Sequence, residues 1–444
     1  MHGHSDFYVV VGLGVTGLSC ARYLHSHGIP FAVTDSRIDP PNLSTFQNAF
    51  PDVQVVTGKL DKSLLNRATK IVLSPGVARQ EPAIAEQAKR GAAILGDVEL
   101  FAQAVNVPVI AITGTNAKST VTTLVGEMAK AAGYAVQVGG NLGVPALDLL
   151  VKNPNANLFV LELSSFQLET TYSLKPLIAT VLNITPDHMD RYHDLAEYQQ
   201  VKHRVYQHCQ IAICNKDDAL TDTSIPQKTY FTLQSPKENE FGLMSKEGET
   251  YLAYGNQCLL SIKSLPLMGK HYYANALASL AIGHRFGLSF ELMLKVLQTF
   301  KGLPHRCQFI RERNGVRWYN DSKGTNVGAT QAAIEGLGSG IPGKLILIAG
   351  GLGKNADFSP LAPVVEKYTR HVVLIGQAAN DLAAVIDKHV PVSFAATMED
   401  AVQQASEAAQ QNDSVLLSPA CASYDMFKNF EHRGDVFIGI VERL

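Results

Sequence analysis

The residues best placed for chemistry lie between Val107 and Met128, in the run VPVIAITGTNAKSTVTTLVGEM. A β-branched apolar stretch, Val109 to Ile112, reads as a buried parallel strand; a tight turn follows at Thr113 to Ala117, and a helix from Ser119. A strand, a glycine-containing turn carrying a lysine, and a helix opening on Ser-Thr are the parts of a phosphate cradle. Backbone N–H groups and the positive end of the helix dipole converge on such a turn, Lys118 adds a mobile point charge, and Ser119 or Thr120 offers a hydroxyl to magnesium. The strict spacing GxxxxGK[ST] would put glycines at Ile112 and Ala117, so only the shorter TGTNxKST stands. An ordinary strand-to-helix turn with an incidental lysine is the competing account.

Further candidates stand at the ends of other apolar runs. Leu158 to Leu163 reads as a strand with Glu162 near its C-terminal end, followed by Ser164, Ser165, Phe166 and Gln167. Ile178 to Ile184 runs into Thr185-Pro-Asp-His-Met-Asp-Arg191. In open parallel sheets the ligand crevice lies beyond the carboxyl ends of the strands, so Glu162 and His188 together suggest a metal outpost beside the phosphate turn. Alone, His188 reads more simply as a hydrogen-bonded loop histidine. Lys202, on a helix expected over Leu195 to His208, reads alone as a solvated lysine.

At the N-terminus, the strand Tyr8 to Val11 enters Gly12-Leu-Gly-Val-Thr-Gly17, a helix follows through Leu24, and the strand Phe31 to Thr34 ends on Asp35. This order is the dinucleotide-binding fingerprint, in which the acid holds a ribose hydroxyl. A nicotinamide or flavin enzyme is the obvious reading, but the same physics serves any nucleotide diphosphate, and Ser36-Arg37 adds a hydroxyl and a cation. A similar strand and turn, Ile71 to Val77, looks like a later member of the same sheet.

The elements that must position these residues alternate between strand and helix along the whole chain. The 444 residues suit three domains at ~150 residues each. Charged residues make up 18%, against ~25% for an average soluble domain, and hydrophobic residues 46%, which suits well-buried α/β cores. We expect boundaries at 1–97, 98–302 and 303–444, each domain built on a mostly parallel sheet with flanking helices: Rossmann-like first, P-loop ATPase-like in the centre, Rossmann-like last. The loop Gly139 to Gly143 lies in the central part, and Thr221 to Ser264 reads as an antiparallel appendage. Helices are expected at Tyr272 to Phe286 and Phe290 to Phe300. The last part carries strands at Gly315 to Tyr319, Leu345 to Ala349, His371 to Ile375 and Ser414 to Ser418. The runs Asn320 to Asn326, Gly350 to Lys354 and Pro419 to Ser423 follow three of those strands and gather Ser, Lys, Asp and Thr.

A formal net charge of −2 without long Lys/Arg runs gives no footprint for nucleic acid or an acidic membrane, so phosphate recognition must be local. Six cysteines without CxxC spacing read as reduced, buried thiols. No window approaches ~18 uninterrupted apolar residues and no signal peptide is recognisable, so a soluble, cytoplasmic protein is expected. His2 and His4 read as a frayed terminus rather than a metal-binding tail.

Taken together, GTNxKST, LELSSFQLE, NITPDHMDRY, GKHYYANALAS, GLPHRCQF, NDSKGTN, GGLGK and SPACASYDMFKNFEHRG occur in the order found in the ATP-dependent Mur ligases, which this chain resembles from Gly12 to Gly434. NDSKGTN with SPACASYDMFKNFE points to the D-glutamate-adding branch. The resemblance implies ligation of D-glutamate to UDP-N-acetylmuramoyl-L-alanine through an acyl phosphate, with release of ADP and phosphate, in peptidoglycan precursor synthesis. It implies that Val15, Thr16, Asp35, Ser36, Arg37 and Ser74 line a uridine diphosphate pocket. Asn141, Ser164, Gln167 and His188 would lie at the muramoyl-alanine end. Gly114, Thr115, Asn116, Ala117, Lys118, Ser119 and Thr120 match the ATP phosphate loop, and Asn275, Arg306, Asp321 and Lys323 match contacts to the rest of ATP. Lys323, Thr325, Lys354, Ser418 and Phe427 match the D-glutamate pocket. Ser119 and Glu162 match magnesium ligands, and His188 with a carbamylated Lys202 matches a second metal site; Lys118, Glu162, His188 and Lys202 would serve catalysis. The implied partners are the three small-molecule substrates, with no nucleic acid or membrane, and the implied state is a monomer. Ala117 stands where the family has glycine, which predicts crowding or a barred positive φ. Two rival readings are a nicotinamide oxidoreductase and a nucleotide-gated interaction protein.

Overall fold

The computed structural model describes residues 6–267 and 269–444, so His2 and His4 lie outside it. The fold is α/β, with three mostly parallel sheets and flanking helices, as the alternation of apolar strands and helices predicts.

In the N-terminal sheet, Tyr8–Val11 runs parallel between Phe31–Thr34 and Lys70–Leu73, with Val55–Val56 and Ala93–Leu95 at the edges. All four residues of Tyr8–Val11 are buried, which is why the strand reads as a continuous apolar run. The direction of winding reverses between this strand and Lys70–Leu73, so a crevice opens where Gly12 and Ser74 stand. Gly17 has to be glycine, because a Cβ there would fall 1.9 Å from the Gly12 carbonyl oxygen.

Six parallel strands form the central sheet in the order Lys228–Phe231, Ile211–Asn215, Ile178–Val181, Val109–Thr113, Leu158–Glu162, Val136–Gly140. Three sequence expectations change here. Lys228–Phe231 was expected in the antiparallel appendage but pairs parallel with Ile211–Asn215; short alternating runs do not encode direction, which the connection sets. The antiparallel part is the meander Phe241–Lys246, Glu249–Tyr254, Gln257–Ser261. Gly139 and Gly140 end a strand rather than open a loop, and the helix Leu195–His203 gives way to a 3₁₀ turn at Arg204–Tyr206.

The C-terminal sheet has the order Gln308–Arg313, Val316–Asn320, Ser414–Leu417, Leu345–Gly350, Thr369–Ile375, Val392–Phe394. Its first strand, absent from the sequence reading, is antiparallel to Val316–Asn320. The signal was present: Asn314 and Gly315 both take positive φ (52° and 73°), as a two-residue hairpin turn requires. Leu345, Leu347 and Ala349 enter one core while Ile346 and Ile348 enter the other, so both faces of this sheet are covered.

The chain forms two compact units. One comprises residues up to Asn183 with Ala196–Phe231 and Ala278–Met293; the other comprises Ile184–Leu195, Thr232–Leu277 and Leu294–Leu444. Within the first, the stretch joining the N-terminal and central sheets is clamped. Gly96 donates its N–H to the Thr170 carbonyl at 3.1 Å, and the Glu99 carboxylate accepts the N–H groups of Tyr172 (2.6 Å) and Ser173 (2.9 Å) and the Ser173 hydroxyl (2.7 Å). Asp148 accepts the Ser19 hydroxyl at 2.9 Å and forms an ion pair with Arg22.

The clamp at Gly96 is tight enough to test. A Cβ there would lie 2.3 Å from the Thr170 hydroxyl oxygen, so Gly96→Ala should destabilise the protein by about 1–3 kcal/mol through overpacking. Urea unfolding should show that loss, and adding Thr170→Ala should restore part of it; an unchanged midpoint in the single variant would contradict the clamp.

Candidate active site

Glycine-turn geometry accounts for the shape of the phosphate loop, and Asn183 for its rigidity. Thr115 donates its N–H to the Asn183 carbonyl (2.9 Å), Asn116 its N–H to the Asn183 side chain (2.8 Å), and the Asn183 amide returns a bond to the Asn116 carbonyl (3.2 Å). The sequence reading gave Asn183 no role, although it heads the run NITPDHMDRY and follows the strand Ile178–Val181. Ala117 takes φ 69°, ψ −11°, so alanine does adopt the left-handed backbone here, at a cost of about 1 kcal/mol or more. The helix Lys118–Ala131 then begins with no side-chain cap, and its N-terminal end is suited to an anion.

Two ammonium groups meet at this turn. Lys118 Nζ donates to the carbonyls of Gly114 (2.9 Å) and Thr115 (2.8 Å). Lys202 Nζ donates to the same Gly114 carbonyl at 2.8 Å and lies 4.5 Å from the centre of the Tyr198 ring. Lys202 is 1% exposed, which rules out the solvated-lysine account. Ser119 and Thr120 are buried at the start of the same helix. Glu162, 3% exposed, is paired in strand register with Ile112, directly before the loop, and accepts the Asn141 amide at 2.7 Å. The central sheet thus gathers the loop, Lys202, Glu162 and Asn141 at one edge.

Ser164 and Gln167 form a reciprocal capping box on the short helix Ser165–Leu168. Gln167 is 3% exposed and its amide donates to Asp97 Oδ2 at 3.1 Å, so its polar atoms are engaged within the protein. Burial pushes the Asp97 carboxyl up to about 6, against the lowering effect of the Gln167 bond.

At the N-terminal crevice, Val15 is exposed and Thr16 half-buried, whereas Asp35 is closed in. Asp35 accepts the Leu13 N–H at 2.7 Å and a two-pronged bond from exposed Arg37 (3.0 and 2.7 Å). Burial acts to raise its carboxyl, yet the Arg37 and Leu13 bonds outweigh this and hold it below the usual range. Ser74 Oγ donates to the Gly12 carbonyl at 2.9 Å. Ser36 lines a neighbouring cavity of about 540 Å³ together with Lys62, Gly76 and Val77.

The second unit contains the remaining candidates. Asp321 accepts the Cys307 N–H (3.1 Å) and the Ser418 hydroxyl (2.7 Å), and burial pushes its carboxyl up to about 6. Ser418 is fully buried and also bonds Thr330 at 3.0 Å. Phe427 is likewise packed against the core and beside His432, while Phe430, which the sequence reading missed, has its ring centre 3.6 Å from the Lys323 ammonium. Thr325, half-buried, donates its N–H to the Lys323 carbonyl. Lys354 and Asn326 converge on Asp187, at 3.3 and 3.2 Å. His188, at φ 58°, lies 3.6 Å from Asp187 Oδ2. Asn275 and Arg306 are half-buried in this unit. Of the expected metal set, Ser119, Glu162 and Lys202 belong to the first unit and His188 to the second.

Comparison with known proteins agrees along the chain. Residues 6–96 match a family model described as Mur ligase MurD-like, N-terminal domain; residues 112–283 match the Mur ligase middle domain, and residues 305–421 the Mur ligase, glutamate ligase domain. A curated relative from Pseudomonas putida, named UDP-N-acetylmuramoylalanine--D-glutamate ligase, is 53% identical, covering 97% of this chain and 96% of its own. A relative of the same name from Legionella pneumophila is 48% identical over 99% of each chain. Among solved structures, UDP-N-acetylmuramate-alanine ligase from Thermotoga maritima has the same fold at 16% identity and a TM-score of 0.63, covering 99% of this chain and 100% of its own. A MurF ligase from Thermotoga maritima, solved in complex with ADP, has a TM-score of 0.61 at 16% identity, covering 99% of this chain and 98% of its own.

The backbone at Ala117 sets a measurable sign. Glycine removes the left-handed penalty of about 1–2 kcal/mol and adds about 0.4–1 kcal/mol of unfolded-state entropy. Ala117→Gly should therefore raise stability by up to about 1.5 kcal/mol in urea unfolding; a clear loss would show that the loop does not hold Ala117 at φ 69°.

Proposed function

The chain belongs to the Mur ligase family, and from that premise we propose that it joins D-glutamate to UDP-N-acetylmuramoyl-L-alanine, with conversion of ATP to ADP and phosphate, in peptidoglycan precursor synthesis. The observation that carries the reading is the phosphate cradle, in which Lys118 and Lys202 meet on the Gly114 carbonyl at a helix N-terminus. The nicotinamide alternative loses its main support, because the acid expected to hold a ribose is closed by Arg37.

Amide formation from a carboxylate needs an activated acyl group. The alanyl carboxylate attacks the γ-phosphorus of ATP, the bond to the β-phosphate oxygen breaks, and ADP leaves an acyl phosphate. The amine of D-glutamate then attacks the acyl carbon, phosphate departs, and the amine proton is released. Two anions must approach in the first step, and Lys118 offsets that repulsion from the loop. The Ser119 hydroxyl and Glu162 carboxylate are oxygen donors of the kind a hard divalent cation takes. Magnesium held there would supply further charge neutralisation.

Residues 1–97 are taken as the UDP-substrate module, 98–302 as the ATP module and 303–444 as the D-glutamate module. Arg37 and Ser36 are the groups exposed to a uridine diphosphate, and Lys323, Thr325 and Lys354 those for the carboxylates of D-glutamate. No described helix is long and apolar enough to cross a membrane; a cytoplasmic monomer acting on soluble substrates is the reading we adopt.

A coupled ADP assay with UDP-N-acetylmuramoyl-L-alanine tests this directly. Turnover should appear with D-glutamate and not with L-glutamate, and Lys118→Ala should remove ~3–4 kcal/mol of transition-state stabilisation, a loss of two to three orders of magnitude. A Lys118→Ala enzyme with half its turnover would refute the cradle's role.

Lys202 should carry a carbamate in the active enzyme. Its amine is buried beside the phosphate loop, where a bare ammonium would repel a metal, whereas the carbamate offers an oxygen ligand. Protein equilibrated with ¹³C-bicarbonate and magnesium should give a carbamate carbon resonance that disappears in Lys202→Arg; an identical spectrum for both proteins would exclude the modification.

A further inference from the structure

The proposed mechanism makes no use of Arg433, although it is among the largest fully buried side chains of the protein at 1% exposure. It lies on the first turn of the helix Phe430–Arg443. Its Nε donates to Ser322 Oγ at 3.0 Å, one terminal nitrogen to the Ser322 carbonyl at 2.9 Å, and the other to the Cys421 carbonyl at 3.1 Å. No carboxylate pairs with it among the described residues, although Asp425 and Asp321 act on it from farther off. Burial lowers the guanidinium to about 10, so it remains charged at neutral pH.

The acceptors of this cation belong to the loops that follow neighbouring strands. Ser322 follows Val316–Asn320 and Cys421 follows Ser414–Leu417, and these strands are paired. The next strand, Leu345–Gly350, leads to Gly351, where a Cβ would stand 3.3 Å from the Arg433 terminal nitrogen, so this turn also packs on the guanidinium. These loops carry Lys323, Thr325 and Lys354. Ser322 Oγ passes the connection on by donating to the Phe430 carbonyl at 2.8 Å, and the Phe430 ring underlies the Lys323 ammonium.

We propose that Arg433 is the positioning residue of the D-glutamate site, setting the loops that present Lys323, Thr325 and Lys354 to the two carboxylates of the amino acid. The inference rests on the reading of that site under the proposed function. A hydrophobic side chain would fill the same space, but it would leave the Ser322 and Cys421 carbonyls without their donor. The planar fork holds acceptors on two loops in a fixed geometry that the point charge of lysine does not impose. Its charge, unpaired inside the protein, also favours anions at the mouth of the loops.

The test uses the full-length enzyme. Arg433→Met should raise the KM for D-glutamate at least tenfold and leave the KM for the UDP-substrate within twofold. Arg433→Lys, which keeps the charge but not the fork, should raise the D-glutamate KM several-fold. A folded Arg433→Lys with wild-type KM for D-glutamate overturns the proposal, and this variant decides the matter should Arg433→Met fail to fold. Equal increases in all substrate KM values, following a lowered melting temperature, would assign Arg433 a purely structural role and likewise overturn it. Lys354→Ala separates the two levels of argument. If it raises the D-glutamate KM while the Arg433 variants do not, the site reading stands and the positioning role fails; if neither moves it, both fail.

Discussion

A parallel strand covered on both faces leaves only its ends available for chemistry, and the rest of this molecule follows from that constraint. Tyr8–Val11, Val109–Thr113 and Leu345–Gly350 are buried along their whole length, so no side chain within them can meet a ligand. Polar function is displaced to the turns beyond the carboxyl ends, where Gly12, Gly114 and Gly351 begin their loops.

Placing polar groups there creates electrostatic problems that the structure solves in different ways. Lys202 donates to the Gly114 carbonyl and lies beside the Tyr198 ring. Arg433 is held by two carbonyls and a hydroxyl. Arg433 is a cation buried without a paired carboxylate among the described residues, an arrangement suited to a site that receives anions. Asp97 and Asp321 show the opposite case. Their burial works against ionisation and lifts each carboxyl to about 6, partly offset by bonds from Gln167 and from Ser418. Asp35 meets the same burial but has Arg37 across it, and its carboxyl stays low.

Several side chains of suitable type for binding serve the scaffold instead. Gln167 completes a capping box and tethers Asp97, Ser418 supports Asp321, and Glu99 holds the loop at Tyr172 and Ser173. Residues that lie in the quoted motifs but were given no role there do comparable positioning: Asn183 behind the phosphate loop, Asp187 between Lys354 and Asn326, and Phe430 beneath Lys323. Polar residues at strand ends therefore include groups that hold the scaffold, and residue type alone does not mark them out.

The sequence by itself determined the α/β class, the strands that carry the glycine turns, and the strand, turn and helix around Lys118 that have the form of a phosphate cradle. These features follow from local rules: apolar runs of strand length, glycine where the backbone must approach closely, and lysine or serine at a helix start. The hairpin strand Gln308–Arg313 was also legible, through Asn314-Gly315, although the apolar pattern alone concealed it. Only the tertiary structure decided that Lys228–Phe231 runs parallel, that Lys202 is buried, that Ser418 and Gln167 face inward, and that alanine accepts φ 69° in the phosphate loop. Each of those depends on partners far away in the chain. Strand direction is set by where the connection returns, burial by which element packs on top, and a strained backbone by neighbours such as Asn183 that hold it in place.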